Sequence, residues 1–468
     1  MAARVREQLA FENRYRPNGK NELRDAAASE NKVLPVHRWV PWIAGFSARF
    51  VADAIDAYLP KRNRAKSKVL DPFAGVATTL VEALKAGCNV VGYEINPFAA
   101  LAARAKINCV EVVPDALKTQ IDTFRPAMER FESELDRKWS QGGKEAIDPV
   151  LDTLRDGGQA PFRSRIPFFS PPVEAKFLYA LGQTSSLSEP CHTLFRTALG
   201  ATMVSVSNYT YEPSLSSRPG AGKPLIENTS VALPTCRRLD EMLEDIGWAQ
   251  AVYGRQWRQR EREVIEGSYF DSTLPAGEVS LVVTSPPYMN NYHYVRNTRP
   301  QLHWLSLLRD GDGMRDLERG SYGKFWQTVR QGECLGLDFD FPELAGRIKE
   351  LRGLNVGRGA YGGPGWANYV GAYFNDSNRF LGLLRRHLRT GAYAIVVVGN
   401  SIIQGMEFKV DELLAQMAEQ HGLWVDEIRI VRTKRVGNSI VGSSVRNGGD
   451  AEGHHKTQLY DAAVVLRA

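Results

Sequence analysis

The sequence predicts an α/β protein built on a doubly wound, mostly parallel sheet, and three stretches predict it. In residues 69–94 an apolar strand ends at Asp71, a small-residue turn leads into a helix ending at Gly87, and a second strand closes on Glu94. In residues 279–283 an apolar run precedes Thr284 and Ser285 and is stopped by Pro286 and Pro287. Each proline lacks an N–H and fixes φ, so the chain must turn at that strand's carboxyl end. Residues 392–399 form an unbroken apolar run, the pattern of a strand covered on both faces. In open α/β sheets ligands bind beyond the carboxyl ends of the strands.

The 468 residues allow one large domain with insertions, or two to three domains. With 43% hydrophobic and 24% charged residues the chain is globular and buries a sizeable core. A net charge of +6 is compatible with a polyanionic partner without identifying one. The five cysteines form no C-x-x-C, so neither a metal site nor a disulfide framework is expected, and a reducing cytoplasm is the expected compartment. No secretory signal is read, and no apolar run approaches the ~18 residues of a membrane span.

Residues 1–30 are polar, with Arg4, Arg6, Arg14 and Arg16, and read as an N-terminal arm that is either solvated or contacts DNA. Residues 36–60 are rich in aromatics and contain a helix capped by Ser47. The turn after Asp71 lets a ligand approach the backbone. Glu94 follows Asp71 by 23 residues, close to the ~20 expected of a carboxylate on ribose hydroxyls. The turn is not G-x-G-x-x-G and lacks a P-loop lysine, which argues against NAD and ATP. Asn96 and Pro97 open a further helix.

Residues 111–263 break the α/β alternation and read as a mainly helical insertion, a candidate DNA-recognition region. One long helix is expected over 239–264. The loop at 205–223 interleaves Tyr, Ser, Arg and Lys, which suits either a nucleic-acid surface or a structural crossover. The sheet resumes at 264–271, where Asp271 is expected to close a strand. Residues 301–365, with glycine clusters at 353–365, read as a loop-rich insertion or lid. A helix is expected over 367–388, another over 410–420, and an antiparallel pair from 424–432 and 459–467. The loop between that pair carries Lys434, Arg435, Arg446, His454, His455 and Lys456.

Asp71 to Thr79, Glu94, Asp271 and Ser285 to Tyr288 are all expected at strand ends. The Ser285 hydroxyl, the carbonyls flanking the prolines and the Tyr288 face suit a flat heterocycle with an exocyclic amine. Glu94 and Asp271 are acceptor-only groups, suited to ribose hydroxyls and an adenine amine. No phosphate-binding residues are evident between them. An adenosine cofactor without phosphates is S-adenosylmethionine.

Asp71-Pro72-Phe73-Ala74-Gly75 with Thr78-Thr79, Gly92 to Pro97, and Thr284-Ser285-Pro286-Pro287-Tyr288 resemble the amino-methylating DNA methyltransferases, which modify cytosine N4 or adenine N6. The resemblance covers 36–110, 264–300 and 366–468. It implies a Rossmann-like seven-stranded methyltransferase sheet, mostly parallel with a C-terminal antiparallel hairpin, assembled from 31–110, 264–300 and 366–468. It implies that Asp71, Phe73 and Gly75 cradle the cofactor's methionine part, Glu94 holds the ribose and Asp271 meets the adenine. Pro72, Thr78, Asn96 and Thr284 complete the expected cofactor set. Ser285, Pro286, Pro287 and Tyr288 would be catalytic.

The serine heading that motif resembles the cytosine-N4 branch. Adenine-N6 methylation, an RNA or protein-amide substrate, and a non-catalytic nucleic-acid binder are the alternatives. Tyr292, His293, Tyr294 and Arg296 are candidates for the pocket or for phosphate. The implied partners are double-stranded DNA and a cognate restriction or defence nuclease, with no membrane and no metal. The chain departs from the family at Ala77, where glycine is usual, and in the placement of its large insertion.

Overall fold

The structure is a computed structural model that describes residues 23, 26, 28–42, 45–155, 162–211, 214–289, 294–308, 311–434 and 459–468. Most of the expected N-terminal arm, Tyr292, His293 and nearly all of the cationic loop expected at 433–458 lie outside the described residues.

The strands are β1 (Lys68–Asp71), β2 (Asn89–Glu94), β3 (Tyr209–Tyr211), β4 (Leu215–Ser217), β5 (Arg262–Glu266), β6 (Val279–Thr284), β7 (Leu388–Gly399), β8 (Ser401–Ile403), β9 (Met406–Phe408), β10 (Trp424–Lys434) and β11 (Leu459–Arg467). Seven of them form one sheet in the order β10-β11-β7-β6-β1-β2-β5. β1 pairs in parallel with β2 and β6, β2 with β5, and β6 with β7. β11 runs antiparallel to both β7 and β10, giving the C-terminal antiparallel pair. The remaining four strands make two small hairpins.

The main helices are α1 (Ala48–Tyr58), α2 (Thr78–Lys85), α3 (Pro97–Ile107), α4 (Pro114–Leu154), α5 (Pro171–Thr184), α6 (Cys191–Thr202) and α7 (Ala232–Arg258). Then come α8 (Tyr294–Asn297), α9 (Arg299–Trp304), α10 (Gly311–Gly320), α11 (Trp326–Val329), α12 (Pro342–Gly353), α13 (Gly363–His387) and α14 (Val410–Gln420). The stretch between β2 and β5 is therefore chiefly helical. Residues 301–365 hold several short helices, more regular structure than their glycine content suggests. The helix expected over 239–264 stops at Arg258, and its last residues belong to β5. Among the described residues no helix is long and apolar enough to cross a membrane.

Successive strand residues point to opposite faces, so one sheet feeds two cores. Val69, Leu281, Val283, Ile395 and Val465 pack with α2, α3 and the α7 residues Leu239, Met242 and Trp257. Leu70, Val91, Val282, Val396 and Val464 pack with α13 and α14 through Phe380, Leu384 and Leu414. Coverage of both faces explains why the central strands read as continuous apolar runs.

Two local departures matter for the site. β5 ends at Glu266, not at Asp271. Gly267 follows, and the Ser268 hydroxyl then accepts from the Phe270 N–H at 3.3 Å, folding residues 269–271 into a 3-10 turn. The turn between β1 and α2 passes through Gly75 at φ 51° and Ala77 at φ 67°. Both lie in the left-handed region, which costs an L side chain about 1–2 kcal/mol.

Candidate functional site

A cavity of about 340 Å³ opens beyond the carboxyl ends of β1, β2 and β6. The strand order runs outward from β1 through β2 on one side and β6 on the other, so the cavity sits where the winding of the sheet reverses.

Asp71 ends β1 and is 3% exposed. Its Oδ1 accepts from the Thr284 hydroxyl at 2.6 Å and from the Phe73 N–H at 3.1 Å. Burial pushes its carboxyl up to about 6, against the lowering effect of those hydrogen bonds. Glu94 ends β2. Its two oxygens accept from the Gly75 and Asn96 N–H groups, each at 2.7 Å, which fixes the carboxylate against the β1 turn. Burial lifts Glu94 to about 7, again opposed by its backbone donors. Phe73, Gly75, Pro72 and Thr78 also line the cavity.

Asn96 lines the cavity too, but its side chain is already committed. Its Oδ1 accepts from the Phe98 and Ala99 N–H groups, capping α3, and its Nδ2 donates to Thr298 at 2.6 Å. Thr284 ends β6 and is fully buried, and it meets the cavity through its bond to Asp71.

Ser285, Pro287 and Tyr288 line the same cavity, with Pro286 between them in the chain. The Tyr288 phenol is hydrogen-bonded with Ser285 and is raised above its ordinary range by burial first and by the nearby Asp461 carboxylate second. Its ring lies against Gly399, where an added Cβ would stand 3.1 Å from Cδ2. The Met289 carbonyl accepts from the Ser401 hydroxyl at 2.7 Å, which pins the exit of the turn to β8.

Asp271 is not among the lining residues. Its side chain is 82% exposed and stands 3.9 Å from Arg379. The 3-10 turn carries it outward, and Ser268, Tyr269 and Phe270 face the cavity from this segment. Tyr294 also lines the cavity.

Much of the remaining wall is aromatic and was not singled out as a site in the sequence. Trp42 and Phe46 come from the segment before α1; Tyr322 comes from the stretch between α10 and α11, and Trp326 opens α11; Trp366 and Tyr369 come from α13. Phe270 and Tyr322 stack with ring centroids 6.1 Å apart, and Trp326 and Trp366 with centroids 5.1 Å apart. The spacing of Trp366, Tyr369 and Tyr373 on one helix was the available signal. It reads equally as a core face.

With this geometry in hand, the relatives are informative. The chain is 24% identical over 438 residues to the Type II methyltransferase M.AvaI of Nostoc, covering 87% of this chain and 83% of that protein. It is 22% identical over 448 residues to the Type II methyltransferase M.BsoBI of Geobacillus stearothermophilus, covering 87% and 82%. A shorter stretch of 88 residues is 28% identical to the Type II methyltransferase M.MjaII of Methanocaldococcus jannaschii, covering 19% of this chain and 16% of that protein. The likeness supports a methyltransferase family. No family model matches the chain. The mostly parallel seven-stranded sheet is consistent with a methyltransferase fold.

Proposed function

We propose that the protein is a DNA methyltransferase that moves a methyl group from S-adenosylmethionine to the exocyclic N4 of a flipped-out cytosine. The observation that carries the reading is the meeting, in one cavity, of Asp71, Gly75 and Glu94 with Ser285 and Tyr288.

The residues present fit S-adenosylmethionine. Glu94 uses one lone pair on each oxygen for backbone donors, which leaves acceptor capacity for ribose hydroxyls. Gly75 offers a backbone without a Cβ, and Phe270 and Tyr322 offer flat faces for a purine. Lys324 is the sole lysine or arginine among the described lining residues, and its ammonium stands 3.3 Å from Asp376, so the cavity is poorly equipped for phosphates. Asp71, Pro72, Phe73 and Thr78 would hold the methionine part. Asp271 is exposed and outside the cavity lining, and Phe270 takes its place beside the adenine in this reading. When bound, the cofactor supplies an electrophilic methyl group on a positively charged sulfur.

The protein's own part is positioning and electrostatics. The base leaves the duplex and stacks on an aromatic face, with Tyr288 the nearest to Ser285. Ser285 and the Pro286 carbonyl accept from the amino group and turn its lone pair toward the methyl donor. Transfer leaves the methylated nitrogen with a surplus, strongly acidic proton, which passes to solvent water. No cysteine nucleophile takes part.

The mainly helical stretch 111–263 is the proposed DNA-reading region, with a cognate nuclease as the proposed partner in a restriction–modification or defence system. Relatives named Type II methyltransferases across most of the chain support that setting. Transfer of labelled methyl groups into unmethylated duplex DNA tests the reading. Ser285→Ala and Tyr288→Ala should abolish most transfer and keep cofactor affinity, and Glu94→Ala should weaken that affinity.

A further inference from the structure

We infer that Asp245, on the long helix α7, is a positioning residue for the cavity: it grips the strap at residues 36–39, whose continuation sets Trp42 over the Gly75 turn. The inference rests on the cofactor reading of that cavity.

Asp245 is 2% exposed and is the hub of the strap. Its Oδ2 accepts from the Val36 N–H at 2.8 Å, from Arg38 Nε at 3.1 Å and from Trp39 Nε1 at 2.9 Å. Its Oδ1 accepts from Arg38 Nη2 at 2.8 Å. One carboxylate thus answers a backbone donor and two side chains within four consecutive residues. Neighbours complete the grip. Arg238, also on α7, donates to the Arg38 carbonyl at 2.6 Å, and Lys106 donates to the His37 carbonyl at 3.3 Å. His37 Nε2 meets Glu82 Oε1 on α2 at 2.7 Å.

The strap is held in a conformation it would not choose. Val36 has φ 67°, a region that β-branched residues rarely enter. Such geometry persists where the surroundings over-determine it, and the Asp245 carboxylate on the Val36 N–H is one such constraint.

The consequence reaches the cavity through a short path. Trp42 follows Trp39 by three residues and lines the cavity. The atom nearest to a Cβ built on Gly75 is Trp42 Nε1, at 3.5 Å. The N–H of Gly75 is one of the two donors that fix Glu94. A strap released at Asp245 therefore frees the indole that covers the Gly75–Glu94 contact. An α7 residue, in the stretch proposed to read DNA, so acts on the cofactor end of the site.

The test is a double-mutant cycle read by calorimetric titration of S-adenosylmethionine into wild type, Asp245→Asn, Trp42→Ala and the double variant. Asn keeps the shape but turns one acceptor into a donor facing donors. Asp245→Asn should weaken binding about tenfold, and should add little in the Trp42→Ala background. The turnover number at saturating cofactor should stay near wild type while KM for the cofactor rises. Trp39→Phe, which removes one donor and keeps the packing, should give a smaller loss in the same direction and serves if Asp245→Asn does not fold. Unchanged affinity in Asp245→Asn, or an equal loss with and without Trp42, would overturn the inference.

Amide exchange on the ligand-free protein separates the two claims. Faster exchange at Gly75 in Asp245→Asn supports the strap, and unchanged exchange there overturns it. A wild type that binds no S-adenosylmethionine, yet shows this exchange change, would sink the cofactor reading alone.

Discussion

The Thr284 hydroxyl donates to the Asp71 carboxylate at 2.6 Å, joining the last residue of β6 to the last residue of β1. The turn after β1 carries Gly75, and the turn after β6 carries Ser285. Beyond the ladder that the two strands share, this buried hydrogen bond ties the proposed cofactor end to the proposed base end. Thr284→Val keeps the volume and removes the donor. It should cost about 1–3 kcal/mol of stability, because Asp71 stays buried with one partner fewer. Urea denaturation checks the stability, and initial rates check an accompanying fall in turnover.

Glu94 should make cofactor binding pH-dependent. Burial raises its carboxyl to about 7, so it is protonated below that pH and a full acceptor above it. Affinity for S-adenosylmethionine should therefore rise between pH 6 and pH 8, and Glu94→Gln should bind weakly with a flat profile. Calorimetric titration across that range is the check.

The same burial acts on stability with the opposite slope. Asp71 moves from 3.8 to about 6 and Glu94 from 4.5 to about 7, so between those limits the native state holds more protons than the unfolded chain. Their contribution to stability falls as pH rises from about 4 to about 7. In the ligand-free protein, Glu94→Gln should lose less stability than wild type between pH 5 and pH 8, measured by chemical denaturation.

Two neighbouring positions in the β1–α2 turn should respond differently. Gly75→Ala places a side chain at φ 51°, at a cost of about 1–2 kcal/mol, on the backbone that binds Glu94. It should weaken cofactor binding. Ala77 already occupies φ 67°. Ala77→Gly relieves that strain and loses a buried methyl group worth about 0.8 kcal/mol, so stability should stay within about 1 kcal/mol of wild type. Parallel thermal melts and cofactor titrations would expose the contrast.

Gly399→Ala tests the placement of Tyr288. The new Cβ would fall 2.9 Å from Asp461 Oδ1 and 3.1 Å from Tyr288 Cδ2, so the carboxylate must move and the ring must give by a few tenths of an ångström. A misplacement of about 1 Å in an active site costs about 100-fold in rate, and this smaller shift should cost less. Methyl transfer should fall while S-adenosylmethionine affinity holds.

The strand ends were legible because two independent signals coincided there: an apolar run and a residue that halts it. Asp71, Glu94 and the turn at Ser285 to Tyr288 were found in that way, and all of these but Pro286 line one cavity. Asp271 misled because apolar pattern does not show where a ladder ends. Gly267 and the Ser268 cap end β5 five residues early, and only pairing with β2 reveals it. Trp42, Trp326 and Trp366 were not legible as a wall. Each lies on a separate segment, and three-dimensional packing alone brings them together. Asp245 was hidden for the same reason: on α7 it is one acid among several, and its donors lie more than 200 residues earlier.

The central claim is the reaction, and nucleoside analysis tests it most directly. Unmethylated duplex DNA is incubated with the protein and methyl-labelled S-adenosylmethionine, digested to nucleosides and read by mass spectrometry. The account predicts label in N4-methylcytosine, absent with Ser285→Ala. Label in N6-methyladenine would contradict the choice of base, and no label in any nucleoside, from protein that binds the cofactor, would contradict DNA methylation itself.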